Sequence, residues 1–311
     1  MELLGYLALF IVSLAVLLKA SDYFVEGARE IGISLGISPF VIGVTIVALG
    51  TSLPELATSI SAVFSGSSEI VVGNVVGSNI TNILLVLGLA ALVGKRIVMD
   101  YNIMDIDMPL LLISSILLFI TLLDGHLSLF ESLLFIGAFG IFIVNSLSGK
   151  REDISMEEKA SYKSYLMLII GGLFVWLGSV YTVVGIKELS LEIGIPSDLF
   201  AVSIVALGTS LPEVVVSVTA ARKGHSAIAV GNVLGSNVFN TYLVMGIPAM
   251  MGDLSISGEF ISYHIPFMIA VTVIFAIISL SNRISKWEGM MLLIFYIYYM
   301  TEIYSRAAVA G

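Results

Sequence analysis

The sequence predicts an all-α membrane protein of ten transmembrane helices, arranged as two inverted five-helix repeats with broken helices at the midplane. Three observations carry this. Of 311 residues, 58% are hydrophobic and only 12% charged, against roughly 25% charged in a soluble domain. Ten apolar runs are long enough to cross a bilayer, and one stretch of sequence recurs almost unchanged in the second half. An ordinary water-soluble enzyme is excluded, because that many apolar side chains could not be hidden from water.

About 30 Å of hydrocarbon takes about 20 helical residues, and the runs fall at 3–28, 38–64, 69–94, 103–123, 127–147, 164–190, 197–221, 226–250, 259–281 and 286–305. The first opens Met1-Glu2-Leu3-Leu4 with no basic segment, so it reads as a retained helix and not as a cleaved signal peptide. Near its end Asp22, Glu26 and Arg29 stand at helical spacing, where a solvated or paired cluster is the ordinary outcome. The second and third runs carry the polar motifs described below. Asn79-Ile80-Thr81 has the form of a glycosylation site but lies inside the third run, which argues against modification. Gly88 to Arg96 has the wrong spacing for a phosphate loop. After the fifth run comes the longest polar stretch, Ser148 to Lys163, a linker far too short for a nucleotide-binding domain. The expected organisation is therefore a first five-helix repeat at 1–147, a cytoplasmic linker at 148–163 and a second, inverted repeat at 164–311. His126, His225 and His264 sit singly near span ends and read as interfacial.

Basic residues collect on the cytoplasmic side during insertion. Arg29, Lys95, Arg96, Lys150, Arg151, Lys159, Lys163, Arg222, Lys223, Arg283 and Lys286 share one side if the N-terminus is outside. Lys187 and Arg306 fall opposite, and Lys19 lies within the first span. A multi-pass protein of the cell membrane with both termini external is expected. The net charge of −9 and the lack of a basic face argue against nucleic acid as a partner. With no cysteine there is neither a disulfide nor a thiolate metal site.

Val47 to Gly88 aligns without a gap on Val205 to Gly246, an offset of 158, and 25 of the 42 positions are identical. V-A-L-G-T-S-L-P-E occurs at Val47 to Glu55 and again at Val205 to Glu213. G-N-V-x-G-S-N-x-x-N occurs at Gly73 to Asn82 and at Gly231 to Asn240. Five spans per repeat is an odd number, so the second copy must enter the membrane in the opposite sense. That is the plan of many secondary transporters, in which the two copies meet near the midplane.

Glu55 and Glu213 sit within otherwise apolar spans, where an acid costs about 2.5 to 3.5 kcal/mol and needs a partner. No Lys or Arg lies at that depth. Two facing carboxylates repel, which favours a proton or a bound cation. Pro54 and Pro212 each free a carbonyl four residues earlier, that of Gly50 or Gly208. Thr51, Ser52, Thr209 and Ser210 cluster at these positions, while Asn74, Ser78 and Asn82, like Asn232, Ser236 and Asn240, recur on one helical face. Asn74 and Asn232 are balanced between facing a ligand and bonding between helices, and Ser59 and Ser217 read as packing residues. Gly73 with Gly77, and Gly231 with Gly235, have the spacing that brings helix backbones together. An all-oxygen set without thiolate or histidine suits Ca²⁺ or Na⁺.

At these motifs the sequence resembles the cation/calcium exchanger superfamily, whose two repeats carry G-T-S-x-P-E and G-N-x-x-G-S-N-x-x-N elements. It is most similar to the prokaryotic sodium/calcium exchanger branch, because calcium/proton antiporters usually carry G-N-A-P-E in place of G-T-S-L-P-E. The resemblance implies that Glu55 and Glu213 bind Ca²⁺ with the main-chain oxygens of Thr51 and Thr209. It implies Na⁺ sites at Ala48, Thr51, Ser52 and Ser78 in one half and at Ala206, Thr209, Ser210 and Ser236 in the other, with Asn82 and Asn240 flanking the centre. Some relatives have an acid at one of these two asparagine positions. The implied protein is a monomeric secondary antiporter, not an enzyme, that exchanges Ca²⁺ for Na⁺ without a cofactor or nucleotide. Ca²⁺/H⁺ exchange through the same glutamates is the alternative, and a passive cation channel is a more distant one.

Overall fold

The structure, a computed structural model, describes residues 2–94, 96–98, 103–148, 160–192, 208–254 and 256–310. These are almost entirely helical. In the first half the helices are α1 (Glu2–Ser34), α2 (Pro39–Ile42), α3 (Ala48–Phe64), α4 (Glu69–Thr81), α5 (Leu87–Val93), α6 (Asp107–Thr121) and α7 (Leu129–Ser148). The second half holds α8 (Tyr162–Glu192), α9 (Leu211–Arg222), α10 (Ser226–Phe239), α11 (Met245–Ala249), α12 (Ile265–Ser279) and α13 (Lys286–Ala310). Most of the linker, and the start of the seventh run with Ala206, lie outside the described residues. Six of the described helical segments are long and apolar enough to cross a membrane by themselves, and Asp107–Thr121 is a shorter apolar helix.

Several spans are compound. Among the described residues four π turns interrupt them, at Gly43–Val47, Asn82–Val86, Asn240–Val244 and Phe260–His264. The second and third begin at equivalent residues of the repeat, Asn82 and Asn240. A π turn inserts a residue into the helical ladder and recurs at functional sites. The two prolines behave differently: α3 runs on through Pro54, whereas in the second half Ser210 leaves the helical region (φ −81°, ψ 4°) just before Pro212. Both copies of the second span end on a left-handed glycine, Gly66 (φ 72°) and Gly224 (φ 83°). The residue after each glycine bonds back to the helix, Ser67 N to Ala62 O at 2.9 Å and His225 N to Ala220 O at 2.8 Å.

Helix burial sorts the spans into a centre and a periphery. On α10 every side chain from Ile228 to Phe239 is buried, as expected of a helix apolar on all sides that occupies the core. On α1, α7, α8 and α13 large apolar side chains such as Leu4, Ile141, Ile169 and Ile297 are exposed, and in a bilayer they face lipid. The long helices α1 and α8 cross through glycines related by the repeat. A Cβ on Gly27 would stand 2.6 Å from Leu168 N, and one on Gly185 would stand 3.0 Å from Phe10 Cα. The centre is tighter still. The Pro39–Val47 segment lies directly on α10, where Gly43 meets Ile228 O, Gly231 meets Phe40 O and Gly235 meets Val44 O, with no room for a methyl group.

Connections gather on two faces. On one, β1 (Arg96–Val98) pairs antiparallel with β2 (Arg283–Ser285), with Ile97 opposite Ile284. Here too the Asp22 and Glu26 cluster is paired: Arg222 Nη2 meets Asp22 Oδ1 at 2.9 Å, and Lys223 Nζ lies 3.6 Å from Glu26 Oε2. Burial, then the neighbouring Arg29, holds the His225 imidazole below its usual range, against the pull of Glu26. On the other face His264, expected to stand alone, is embedded in a cluster. Its Nδ1 lies 3.2 Å from Tyr299 OH, Phe267 stacks on Tyr299, and the Arg306 guanidinium sits 3.7 Å over the Tyr263 ring.

The glycine contacts give a direct test. Gly231→Ala must push the Pro39–Val47 backbone off α10, a strain of about 1–3 kcal/mol, whereas a Cβ on Gly137 meets nothing within 4 Å. Thermal unfolding of the purified protein in detergent should show a drop of several degrees for Gly231→Ala and little change for Gly137→Ala. Equal melting temperatures would refute the close approach.

Candidate functional site

The packing of α2 and α3 against α10, and of the Asn82–Val86 turn and α5 against α9, brings the two copies of each motif together. Glu55 on α3 is 1% exposed and Glu213 on α9 is 0% exposed, and the two carboxyl groups are close enough to act on each other electrostatically. Helix periodicity places Ser52 one turn before Glu55, yet its hydroxyl serves the other repeat: Ser52 Oγ donates to Glu213 Oε1 at 3.1 Å. The reciprocal bond, Ser210 to Glu55, is not formed. Ser210 Oγ, Glu213 Oε2 and both carboxylate oxygens of Glu55 are buried without a hydrogen-bond partner. None of the ion pairs among the described residues involves either glutamate.

Buried carboxylate oxygens without donors are costly, and a cation among them would remove the cost. Among the described residues no group of three or more His, Cys, Asp and Glu side chains is positioned to hold a metal. Any ion here must complete its shell from hydroxyl, amide and carbonyl oxygens. Those lie close by. Thr51 Oγ1 is 3.4 Å from Ser236 Oγ, and Thr209 Oγ1 is 3.4 Å from Ser78 Oγ, two contacts related by the repeat. The Ala48 carbonyl lies 3.3 Å from Thr51 Oγ1, and Ala48 is buried. Ala206, its expected counterpart, lies outside the described residues.

Asn74 and Asn232 form bonds between helices. Asn74 Nδ2 donates to Ser59 Oγ at 2.9 Å and to the Glu55 carbonyl at 3.1 Å, while Asn232 Nδ2 donates to Ser217 Oγ at 2.8 Å. Ser59 and Ser217 thus act as packing residues that also anchor an amide. Asn82 and Asn240 differ in surroundings although the repeat makes them equivalent. Asn82 Nδ2 donates to Asn237 Oδ1 at 3.1 Å, whereas neither side-chain polar atom of Asn240 has a partner.

Sequence reasoning passed over Asn79 and Asn237 as site residues. Both are buried, and they close a polar seam between the repeats: Asn79 Nδ2 donates to Thr241 Oγ1 at 3.0 Å and Asn237 Nδ2 to the Asn79 carbonyl at 3.4 Å. Their signal was present, since both belong to the repeated G-S-N element. The large cleft of about 930 Å³ lined by Phe24, Leu53, Phe139 and Trp176 is a different feature. Its walls are apolar and include neither glutamate.

Known proteins share this architecture. A structure of the sodium-calcium exchanger NCX_Mj superposes with a TM-score of 0.86 at 29% identity, covering 96% of this chain and 98% of that one. The sodium/calcium exchanger MaX1 of Methanosarcina acetivorans is 34% identical across 95% of this chain and 97% of its own length. The inner membrane protein YrbG of Escherichia coli is 33% identical over 87% of each. The family model for sodium/calcium exchanger proteins matches twice, at residues 5–148 and 163–304. With a family match across both repeats and relatives aligned along nearly the whole chain, the protein belongs to the sodium/calcium exchanger family.

Proposed function

We propose that the protein is a secondary antiporter that moves Ca²⁺ out of the cell in exchange for Na⁺, by alternating access to one shared cation site. The observation that carries this is the facing pair Glu55 and Glu213, buried without a basic partner in a lining of neutral oxygens. Ca²⁺ takes six to eight oxygens at flexible distances. The carboxylates and the main-chain oxygens of Thr51 and Thr209 supply its shell. Na⁺ ions use the same carboxylates with Ala48, Thr51, Ser52 and Ser78 on one side and Ala206, Thr209, Ser210 and Ser236 on the other. Asn82 and Asn240 flank the centre.

Competition for the two carboxylates couples the fluxes. An empty site with two bare carboxylates resists exposure to the low-dielectric barrier, whereas a cation-loaded site can reorient. Any net charge moved per cycle gains or loses about 2.3 kcal/mol per 100 mV. The same reading assigns the halves to 1–147 and 164–311 about a cytoplasmic linker at 148–163, with both termini outside and the chain acting as a monomer.

Ca²⁺/H⁺ exchange is the second reading, favoured by one observation: both oxygens of Glu55 lack a donor, so a proton could serve Glu55 as a cation does. The two readings separate in proteoliposomes. Loaded with Na⁺ and diluted into Na⁺-free medium, wild-type vesicles should take up ⁴⁵Ca²⁺, while K⁺-loaded vesicles should not. Glu55→Gln and Glu213→Gln should each reduce uptake at least about a hundredfold, since each removes a charge that the bound ion requires. Uptake that follows an acid load and ignores Na⁺ would select proton exchange.

The uneven hydrogen bonding gives a second expectation. In Na⁺- and Ca²⁺-free buffer Ser52→Ala deprives buried Glu213 of a donor, a loss of about 1–3 kcal/mol, while Ser210 makes no such bond. Differential scanning fluorimetry should show a clearly lower melting temperature for Ser52→Ala than for Ser210→Ala. The reverse order would mean that the ion-free protein rests with the opposite glutamate capped.

A further inference from the structure

The hydroxyls of Thr51 and Thr209 are not free to point anywhere. Each has one proton and two lone pairs, and an asparagine oxygen of the opposite repeat stands in reach of each, for Thr51 nearer than the Ala48 carbonyl at 3.3 Å. Thr51 Oγ1 donates to Asn232 Oδ1 at 3.1 Å, and Thr209 Oγ1 donates to Asn74 Oδ1 at 3.1 Å. The asparagines are themselves fixed: Asn74 is 1% and Asn232 0% exposed. For Asn74 the orientation is unambiguous. Its NH₂ group lies 3.1 Å from the Glu55 carbonyl, which can only accept, so its Oδ1 must be the atom that faces Thr209. Asn232 repeats the arrangement with Ser217 as its anchor.

We propose that Asn74 and Asn232 are positioning residues for Na⁺, each taking the proton of a threonine across the repeat boundary and so turning that threonine's lone pairs toward the ion. The role rests on the exchange proposed above. Neither asparagine touches the ion. They act on the threonine hydroxyl as an outer-shell acceptor acts on a metal-bound histidine. The consequence is selective. Na⁺ uses the threonine side chains, whereas Ca²⁺ uses the carboxylates and the threonine main-chain oxygens, which do not depend on where the hydroxyl proton points. Because each acceptor belongs to the other repeat, Na⁺ binding in one half also requires that the two repeats be in register.

The test compares two exchange modes of the same reconstituted protein. Asn74→Leu keeps the side-chain volume but removes the acceptor together with the donor to Ser59 and the Glu55 carbonyl, and the Thr209 backgrounds below isolate the acceptor's part. The half-saturating Na⁺ concentration for ⁴⁵Ca²⁺ exchange should rise about tenfold, while ⁴⁵Ca²⁺/Ca²⁺ exchange, which needs no Na⁺, stays within about twofold. In a Thr209→Val background, where no hydroxyl remains to be turned, Asn74→Leu should add nothing further. In Thr209→Ser it should again cost about tenfold. If Asn74→Leu does not fold, Asn232→Leu against Thr51→Val and Thr51→Ser asks the same question at the mirror position. Equal loss of both modes, or the same tenfold rise in the Thr209→Val background, would overturn the positioning role. Wild-type protein with Ca²⁺/Ca²⁺ exchange but no Na⁺-driven uptake would overturn the Na⁺ reading itself, and this role with it.

Discussion

Two carboxyl groups held close together in the buried centre, with no basic side chain paired to them among the described residues, set the terms for the rest of this molecule. In an ordinary apolar core Glu55 and Glu213 could not both keep their charge, and each would need a proton or a cation. Their surroundings limit the cost without removing it. Ser52 gives one carboxylate a donor, and the remaining oxygens stay unanswered. Around them the tightly packed segments are those that hold the pair in place: Pro39–Val47 against α10, glycine to backbone, and the asparagine seam between the two G-S-N elements. The lipid-facing helices, by contrast, carry ordinary apolar surface.

Duplication accounts for much of this arrangement. The crossed threonine–asparagine bonds, the threonine–serine contacts and the left-handed glycines at Gly66 and Gly224 all occur twice, at equivalent positions. Departures from the symmetry are concentrated around the glutamates. Of Ser52 and Ser210 only Ser52 caps a glutamate of the pair, and of Asn82 and Asn240 only Asn82 has a side-chain hydrogen-bond partner. The asymmetry between the repeats in this structure thus resides in a few hydrogen bonds.

Composition and period made the helical membrane class legible, and the repeat made the meeting of the two motifs legible, because identical segments with an odd number of spans between equivalents have few ways to pack. Both glutamates, the threonines and the serines could be named from the motifs alone. The π turns could not, since nothing in the residues of Asn82–Val86 distinguishes one extra residue per turn from an ordinary helix. Nor was the cross-repeat direction of the hydrogen bonds visible: Ser52 and Thr51 lie beside Glu55 in sequence but serve Glu213 and Asn232 in space. His264 read as a lone interfacial residue because its partners Tyr299 and Glu259 come from segments whose pairing depends on the tertiary fold.

The π turns at Asn82–Val86 and Asn240–Val244 also divide each of these spans into two phases. An α-helix advances about 100° per residue, so one additional residue rotates everything beyond it by that amount. The polar face that begins at Asn74 and Asn232 therefore stops at Asn82 and Asn240, and Leu87–Val93 and Met245–Ala249 present differently directed faces to their neighbours. Wound as an uninterrupted α-helix, the same residues would turn the apolar half of each span away from the helices it packs against, so the turn that absorbs the extra residue keeps both halves on their present faces. Span length in this protein is thus constrained twice, once by bilayer thickness and once by rotational phase.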